Sequence, residues 1–517
     1  MLIAGRTARQ TYEKLLPDRD PYLQRARQVA ELTLPHLMPP SGYSGGQLPT
    51  PYQAMGARGV SSLASKLLLA LFPPGQSMMR YEIDPMILDQ LSSGDGTVKS
   101  EVEASLAKTE AAVTVDIESN ALRPRLHECF KQWVIAGNVL LYNNSMGGLK
   151  VFHLDRFVTK RDPDGNPLII ITKESISKIL LPKKMQALLE LQEGDSAKDE
   201  SVGIDQDSVD IYTAVVRTSL TSYVTFQEVN GIMVPGTKGT YKADELPWIP
   251  LRAEPVAGQS YSYGYAVGLL GDLASLEGLM KALVDSAAAS ARLVFLVSPN
   301  SSTSVRDLNK AMNGSFVTGL PEDVVALKVD KAADMSVAFN MIERLQQSLG
   351  FSFLLNQSVQ RNGERVTAEE IRFLAQELED VQAGAYSLLA QELQLPLVRA
   401  RLARLRKMGR VPEIDKSIAT PSIITGLEAL SRGHDLQKLD MLLQGGVSLL
   451  GADVTSKYID IGLYFKRRET ALGLAGDSLV LSAEAVAERE QQQQMQEMVS
   501  QLGPNAVNQM GQMAQAQ

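Results

Sequence analysis

The 517-residue chain has a single cysteine, Cys129, so no disulfide can form within it and a disulfide-stapled secreted fold is excluded. Its four histidines, His36, His127, His153 and His434, are scattered and include no His-x-x-x-His pair. With one thiol, a structural zinc site would have to gather distant ligands. Long apolar runs are missing as well. The most apolar stretch, LLLALF at 67–72, stops at Pro73-Pro74, far short of the roughly 20 residues that span a bilayer. The first twenty residues lack the apolar core of a signal peptide. The expectation is a soluble protein made in the cytoplasm. No G-x-x-x-x-G-K-[ST] occurs, so no P-loop nucleotide site is expected. Basic excess is absent too: the net charge is -8 and the pI near 5.4. A chain that grips nucleic acid by neutralising phosphates is normally basic. This one does not read as a tight DNA or RNA binder, although a local basic feature, or passage over a non-adhesive surface, stays open.

What is present is an ordinary folded composition, 44% hydrophobic and 21% charged, long enough for two to four structural regions. Two motifs resemble chemistry and fail on context. GYSGG (42–46) matches a nucleophile elbow, but prolines flank it where a strand and a helix are required, so it reads as a surface loop. DPDGN (162–166) begins like a calcium loop, but position six is Pro167 and position twelve Lys173, so it reads as a hairpin turn. His127 and Cys129 share a helical stretch about 200° apart, which suits packing rather than a dyad. No catalytic residue, metal site or cofactor is expected.

Hydrophobic periodicity predicts an α+β fold, mainly helical. Helices are expected at 8–34, interrupted by Pro17 and Pro21, then at 52–72, 101–120 and 123–136. The period then changes, and 139–255 reads as β-rich. Strands are expected at LLYNN, VFHL, RFVTKRD and PLIIITKE, the last two joined by RDPDGNP, and again at 209–217 and 221–229. A helix at 267–291 ends in SAAASA, which reads either as high helix propensity or as close packing against a copy of itself. Residues 293–330 read as a small mixed unit: a strand LVFLV, a short helix VRDLNKAM, and strands near SFVTG and VVALKV, too short for a stable sheet alone. A helix at about 334–354 follows.

The loop NQSVQRNGERV (356–366) then sets Gln360, Arg361, Asn362, Gly363, Glu364 and Arg365 around an Asn-Gly reversal, directly before the longest helix. That helix opens with a capping box, Thr367 and Glu370, and a staple, Val366 and Ile371. It runs to about Met408, where Arg399, Arg401, Arg404, Arg406 and Lys407 suit the negative helix end and Gly409 the C′ position, with Pro396 expected to kink it. About forty residues at 1.5 Å give roughly 60 Å, more than one ordinary domain covers. Residues 491–517 are rich in Gln, Met and Ala and read as a flexible tail.

Several segments, in order along the chain, resemble the portal, or head-to-tail connector, proteins of short-tailed bacteriophages. They are DRDPYLQRA (18–26), YQAMGARGVSSLASKLLLALFP (52–73), WVIAGNVLLY (133–142), GYAVGLLGDLASLEGL (264–279), GSFVTGLPEDV (314–324), QRNGERVTAEEIR (360–372), LAQELQLPLVR (389–399) and ITGLEALSRGHDLQKL (424–439). The resemblance implies a ring of twelve copies around a central channel, built from wing, stem, clip and crown. Its layout implies a wing at 1–263, a first stem helix at 264–292 and a clip at 293–330. A second stem helix at 331–355 and a tunnel loop at 356–366 would follow, then a long wing helix at 367–410, a crown at 411–490 and the tail at 491–517. It implies a non-enzymatic virion component at one capsid vertex, synthesised in the host cytoplasm, with no cofactor and no membrane. Implied partners are the terminase large subunit, tail adaptor and tail tube proteins, major capsid and scaffolding proteins, internal head core proteins, and double-stranded DNA passing without sequence readout. Residues 360–365 would face that DNA. Another ring-forming adaptor of the virion, or a cytosolic hydrolase using 42–46, stays open at this point.

Overall fold

The structure, a computed structural model, describes residues 5–40, 42–43, 45–74, 77–83, 96–187, 208–290, 295–300, 303–326, 332–355, 387–412, 414, 419–423, 440–449, 451, 462 and 464–465. The chain forms two units, one of residues 1–69 and 121–366, the other of 70–120 and 367–517.

The first unit begins with α1 (Ala8–Leu32). The sequence predicts breaks at Pro17 and Pro21, yet the helix runs through both. A proline removes one N–H and crowds the preceding turn. Here tertiary docking outweighs that loss: Ala8, Tyr12, Leu23, Ala26, Val29 and Ala30 are all buried. Buried Arg19 adds to the anchoring, donating from Nη1 to the Asp155 carbonyl at 2.9 Å. The helix start is satisfied twice. Thr7 and Gln10 form a capping box, and the buried Glu228 carboxylate accepts the Ala8 N–H at 2.7 Å and the Arg9 N–H at 3.2 Å.

The β-rich region appears where the change of period places it. Strands β2 (Asn138–Asn143), β3 (Leu149–Phe152) and β10 (Trp248–Arg252) make a three-stranded antiparallel sheet in the order β10-β2-β3. A six-stranded sheet holds β4 (Phe157–Arg161), β5 (Pro167–Ser177), β6 (Ser208–Ser219), β7 (Ser222–Val229) and β8 (Ile232–Met233) in sequential order, with β9 (Gly239–Lys242) also on β7. The expected β4–β5 hairpin forms: the Asn166 N–H donates to the Asp162 carboxylate at 2.7 Å and Gly165 takes φ 88°. Asn230 and Gly231, at φ 49° and 82°, supply the left-handed pair that a two-residue hairpin needs. Residues Ala8 and Tyr12 of α1 close over Val158, Ile171, Tyr212, Ala214, Val216 and Phe226 of the larger sheet.

The helix α4 (Leu122–Ala136) carries Cys129, Phe130 and Trp133 into the core, and the Trp133 indole donates to the Arg252 carbonyl at 3.1 Å. The backbone at 262–264 lies so close that a Cβ on Gly264 would meet the Ile135 carbonyl oxygen at 2.4 Å, so glycine is required there. Helix α2 (Met55–Leu71) matches its expected span within a few residues.

After Gly264 the chain forms a helical hairpin, α5 (Leu270–Ser290) and α7 (Ala332–Ser352), which pack on each other. Between them lie β11 (Phe295–Val297), α6 (Val305–Lys310) and β12 (Val324–Ala326). The two strands pair antiparallel within the chain, with Leu296 opposite Val325. The third strand expected at SFVTG does not form. Gly314 at φ 88° turns the chain there, and no partner strand reaches it: the Phe316 side chain is fully exposed.

In the second unit β1 (Met79–Ile83) pairs with β13 (Ala419–Ile423), while α3 (Gly96–Ser119) packs on α8 (Leu395–Lys407). The expected kink at Pro396 takes the form of a π turn over Ala390–Gln394, in which the Leu395 N–H reaches the Ala390 carbonyl. Widening the helix just before Pro396 absorbs the carbonyl that proline cannot satisfy. Gly409, at φ 69°, ends α8 as predicted, with Gly409 N–H to Arg406 O at 2.9 Å and Arg410 N–H to Leu405 O at 3.0 Å. The basic end is not simply a solvated dipole match, however. Arg401 is fully buried and donates to Asp116 at 3.2 Å, and Arg404 donates to the same carboxylate at 2.7 Å. Burial pulls the Arg401 guanidinium down to about 10, against the opposing pull of Asp116.

Candidate functional site

The expected DNA-facing residues Gln360, Arg361, Asn362, Gly363, Glu364 and Arg365 lie outside the described residues, as do the capping box and staple at Val366, Thr367, Glu370 and Ile371. The described chain gives the end of α7 that leads toward them. That end is closed by a Schellman motif: Leu355 N–H to Gly350 O at 2.7 Å and Leu354 N–H to Phe351 O at 3.0 Å. Its left-handed position is filled not by glycine but by Leu354, at φ 56°, a conformation that costs a non-glycine residue about 1 kcal/mol or more. Neighbours hold it in place. Phe353 is fully buried over Gly59, where a Cβ would meet its ring at 2.5 Å. Lys66 Nζ donates to the Leu354 carbonyl, and the Tyr265 hydroxyl donates to Ser352 O at 2.8 Å. The sequence gives no local signal for this cap, because Leu354 stands where glycine usually marks one.

The hairpin itself is buried at one end only. Leu273 and Leu276 at the start of α5, and Ile342 and Leu349 late in α7, are in the core. The other end carries apolar side chains in the open: Val284 on α5, and Val337, Phe339 and Met341 on α7 are each 48–70% exposed. Ala287, Ala288 and Ala289 are exposed there too. An isolated exposed apolar residue is ordinary, but a contiguous set marks a contact surface. The tip of the hairpin continues it with Leu296 and Val325 on the ribbon and with Met312, Phe316 and Leu320 in the irregular segment after α6.

Elsewhere the side chains do structural work. The loop between Leu37 and Met55 that carries GYSGG has no regular structure among its described residues. Cys129 is buried, and burial pushes its thiol well above the usual range, far from nucleophilic. His127 Nε2 lies 3.1 Å from the Ser65 hydroxyl. Among the described residues no group of His, Cys, Asp or Glu is arranged to hold a metal, and no helix is long and apolar enough to cross a membrane. A cleft of about 510 Å³ between the two sheets is walled by Tyr142, Trp248 and Phe152, with Thr213, Thr225 and Gln227 on its floor; it gathers no catalytic set.

One ionisable contact tunes stability. His153 Nδ1 sits 2.7 Å from the Leu37 carbonyl, and its Nε2 lies 3.6 Å from Glu128. Burial disfavours the charged ring, but Glu128 and the Leu37 carbonyl outweigh it and raise the His153 pKa. A raised histidine pKa adds stability that is fully present below about pH 6.5 and is lost as pH climbs through the folded-state value. Thermal unfolding is therefore expected to show a loss of about 1 kcal/mol or less above pH 6.5. His153→Asn should flatten that part of the profile.

The apolar hairpin end and the residues at its tip form an exposed surface, and no catalytic or metal-binding group is assembled among the described residues. Comparison with known proteins identifies the family. The family model for bacteriophage head to tail connecting protein matches residues 5–480. The portal protein of Escherichia phage T7 is 40% identical over 497 residues, 95% of this chain and 91% of the relative. That of Enterobacteria phage T3 is 39% identical over 483 residues, 92% and 88% of the two chains, and that of Pseudomonas phage phiKMV 32% over 444 residues, 84% and 83%. The chain belongs to the bacteriophage head-to-tail connecting proteins, the portal proteins of short-tailed phages, and its role is structural rather than enzymatic.

Proposed function

We propose that the chain assembles as a ring of twelve copies at one vertex of the capsid, nucleates head assembly, docks the terminase, conducts double-stranded DNA in and out, and attaches the tail. The observation that carries this reading is the hairpin of α5 and α7, whose bare apolar end calls for a neighbour to cover it. On this reading the hairpin is the stem, 293–330 the clip, 1–263 the wing and 411–490 the crown. The net charge of -8 per chain suits a channel along which DNA slides instead of sticking.

The loop at 356–366 would narrow that channel. Twelve copies of Arg361 and Arg365 form a ring of positive charge that contacts phosphates without reading sequence, with Glu364 offsetting part of it. The experiment is the double substitution Arg361→Ala and Arg365→Ala. Ring assembly is expected to be unchanged, because neither residue belongs to the expected cap at Thr367 or the staple at Val366 and Ile371. Packaging or retention of the genome should fall severalfold. Full-length DNA packaged and retained at the parental level would remove these arginines from the gate.

A further inference from the structure

The larger sheet has two unlike faces. Toward α1 it is apolar, with Tyr212, Ala214, Val216 and Phe226 in the core. The other face sets Thr172, Thr213 and Gln227 directly opposite one another on β5, β6 and β7. A polar face is usual where a sheet meets bulk water, but Thr172 and Thr213 are only 0% and 6% exposed. Thr213 and Gln227 form the floor of the cleft of about 510 Å³ between the two sheets, a size at which ligand pockets occur. Gln227 Nε2 donates to the Thr213 hydroxyl at 3.3 Å, yet the row does not satisfy itself: the Thr172 hydroxyl has no partner among the described residues. Nor do the hydroxyls of Thr225, Tyr142 and Tyr241, all of which line the cleft. Burial, and then the neighbouring Tyr241, raises the Tyr142 pKa, so this phenol keeps its proton and can donate. Hydroxyls left unpaired away from water cost free energy, which a ligand bringing acceptors recovers.

The opposite wall is aromatic. Trp248 stacks on Tyr142 at 4.1 Å, and Phe152 lies 5.8 Å from Trp248 on its own sheet. Only two charged side chains line the cleft, Lys150 of β3 and Glu174 of β5, and they pair with each other from one sheet to the other. With its charges already matched, the cleft gives a phosphate, a nucleic acid or a charged peptide nothing to bind. Its occupant is neutral, has a flat apolar part and is rich in acceptors. An extended peptide with proline meets all three conditions: its ring lies against aromatic side chains, and its carbonyls have no internal partners. We infer that the cleft receives a short, uncharged, proline-bearing segment of a partner protein. The chain's own segment 188–207, between β5 and β6, does not match, with no proline and seven carboxylates against one lysine. Its stretch 498–517 has no charged side chain but places Pro504 behind Gly503, a flexible pair that is costly to order. The inference does not depend on the ring reading.

Tryptophan fluorescence of the full-length protein tests it, because Trp248 walls the cleft and only one other tryptophan, Trp133, is present. The probe is tetraproline blocked at both ends. It should shift the emission saturably, with half the effect at about 1 mM. Blocked tetraalanine, tetraglutamate and tetralysine, and the neutral sugar maltose, should each need about tenfold more or give no shift. Trp248→Phe should abolish the response. Thr225→Val combined with Tyr241→Phe, which removes two hydroxyls at nearly constant shape, should weaken tetraproline about tenfold and leave the thermal midpoint and particle mass unchanged. No saturable shift up to about 20 mM tetraproline overturns the inference. So does an equal or tighter response to maltose or to a charged peptide, or a double variant that binds as the parent does. A peptide of residues 498–517 that binds more tightly than tetraproline gives the cleft to the chain's own tail and overturns the partner.

Discussion

Replacing Asp116 with alanine should lower the unfolding free energy by about 3–5 kcal/mol. Asp116 is 3% exposed and faces two guanidiniums, that of fully buried Arg401 at 3.2 Å and that of Arg404 at 2.7 Å. Its Oδ1 also accepts from the Asn120 amide at 3.0 Å. Removing the carboxylate strips two buried or half-buried cations of the group that offsets their desolvation, which costs far more than a surface pair would. Denaturant unfolding of the full chain measures the change. Asp116→Leu combined with Arg401→Met should recover part of the loss, because it removes the fully buried cation, while Arg404 keeps its charge without this carboxylate. An alanine variant within 1 kcal/mol of the parent would show that this cluster does not join α3 to α8.

Deleting residues 300–322 should abolish DNA packaging while leaving the rest of the first unit folded. The segment holds α6 and the irregular stretch after it, and among its described residues only Thr303 is buried. The core of α5 and α7 rests instead on Leu273, Leu276, Ile342 and Leu349, all outside the deletion. Circular dichroism and thermal unfolding should therefore change little, whereas packaging assayed in extracts should drop to background. Normal packaging by the deletion variant would contradict the proposal that this segment, as the clip, serves motor docking.

How much could be read in advance depended on whether the deciding interaction was local. The β4–β5 hairpin was legible because its turn chemistry, Asp162 to Asn166 with Gly165, lies within five residues. The end of α8 was legible for the same reason, through Gly409. The continuity of α1 through Pro17 and Pro21 was not, because what overrides the prolines is docking against β-strands more than a hundred residues away. Residues 315–318 look like a strand by composition, yet a strand needs a partner edge, and β11 and β12 pair with each other. Arg401 looks like a helix-end cation until the fold brings Asp116 beneath it. Of the candidate site, the hairpin helices and their small-residue end were visible as periodicity and composition. Their exposure was not, since the same apolar pattern serves a core or an interface. The expected channel residues Arg361 and Arg365 lie outside the described residues, so their role stands on the resemblance and awaits the double substitution.

The most direct test of the central claim is the mass of the purified full-length protein, measured by mass photometry at nanomolar concentration. The account predicts a particle of twelve times 56.3 kDa, with negative-stain images showing a ring around an open channel. A monomer or dimer under the same conditions would contradict it.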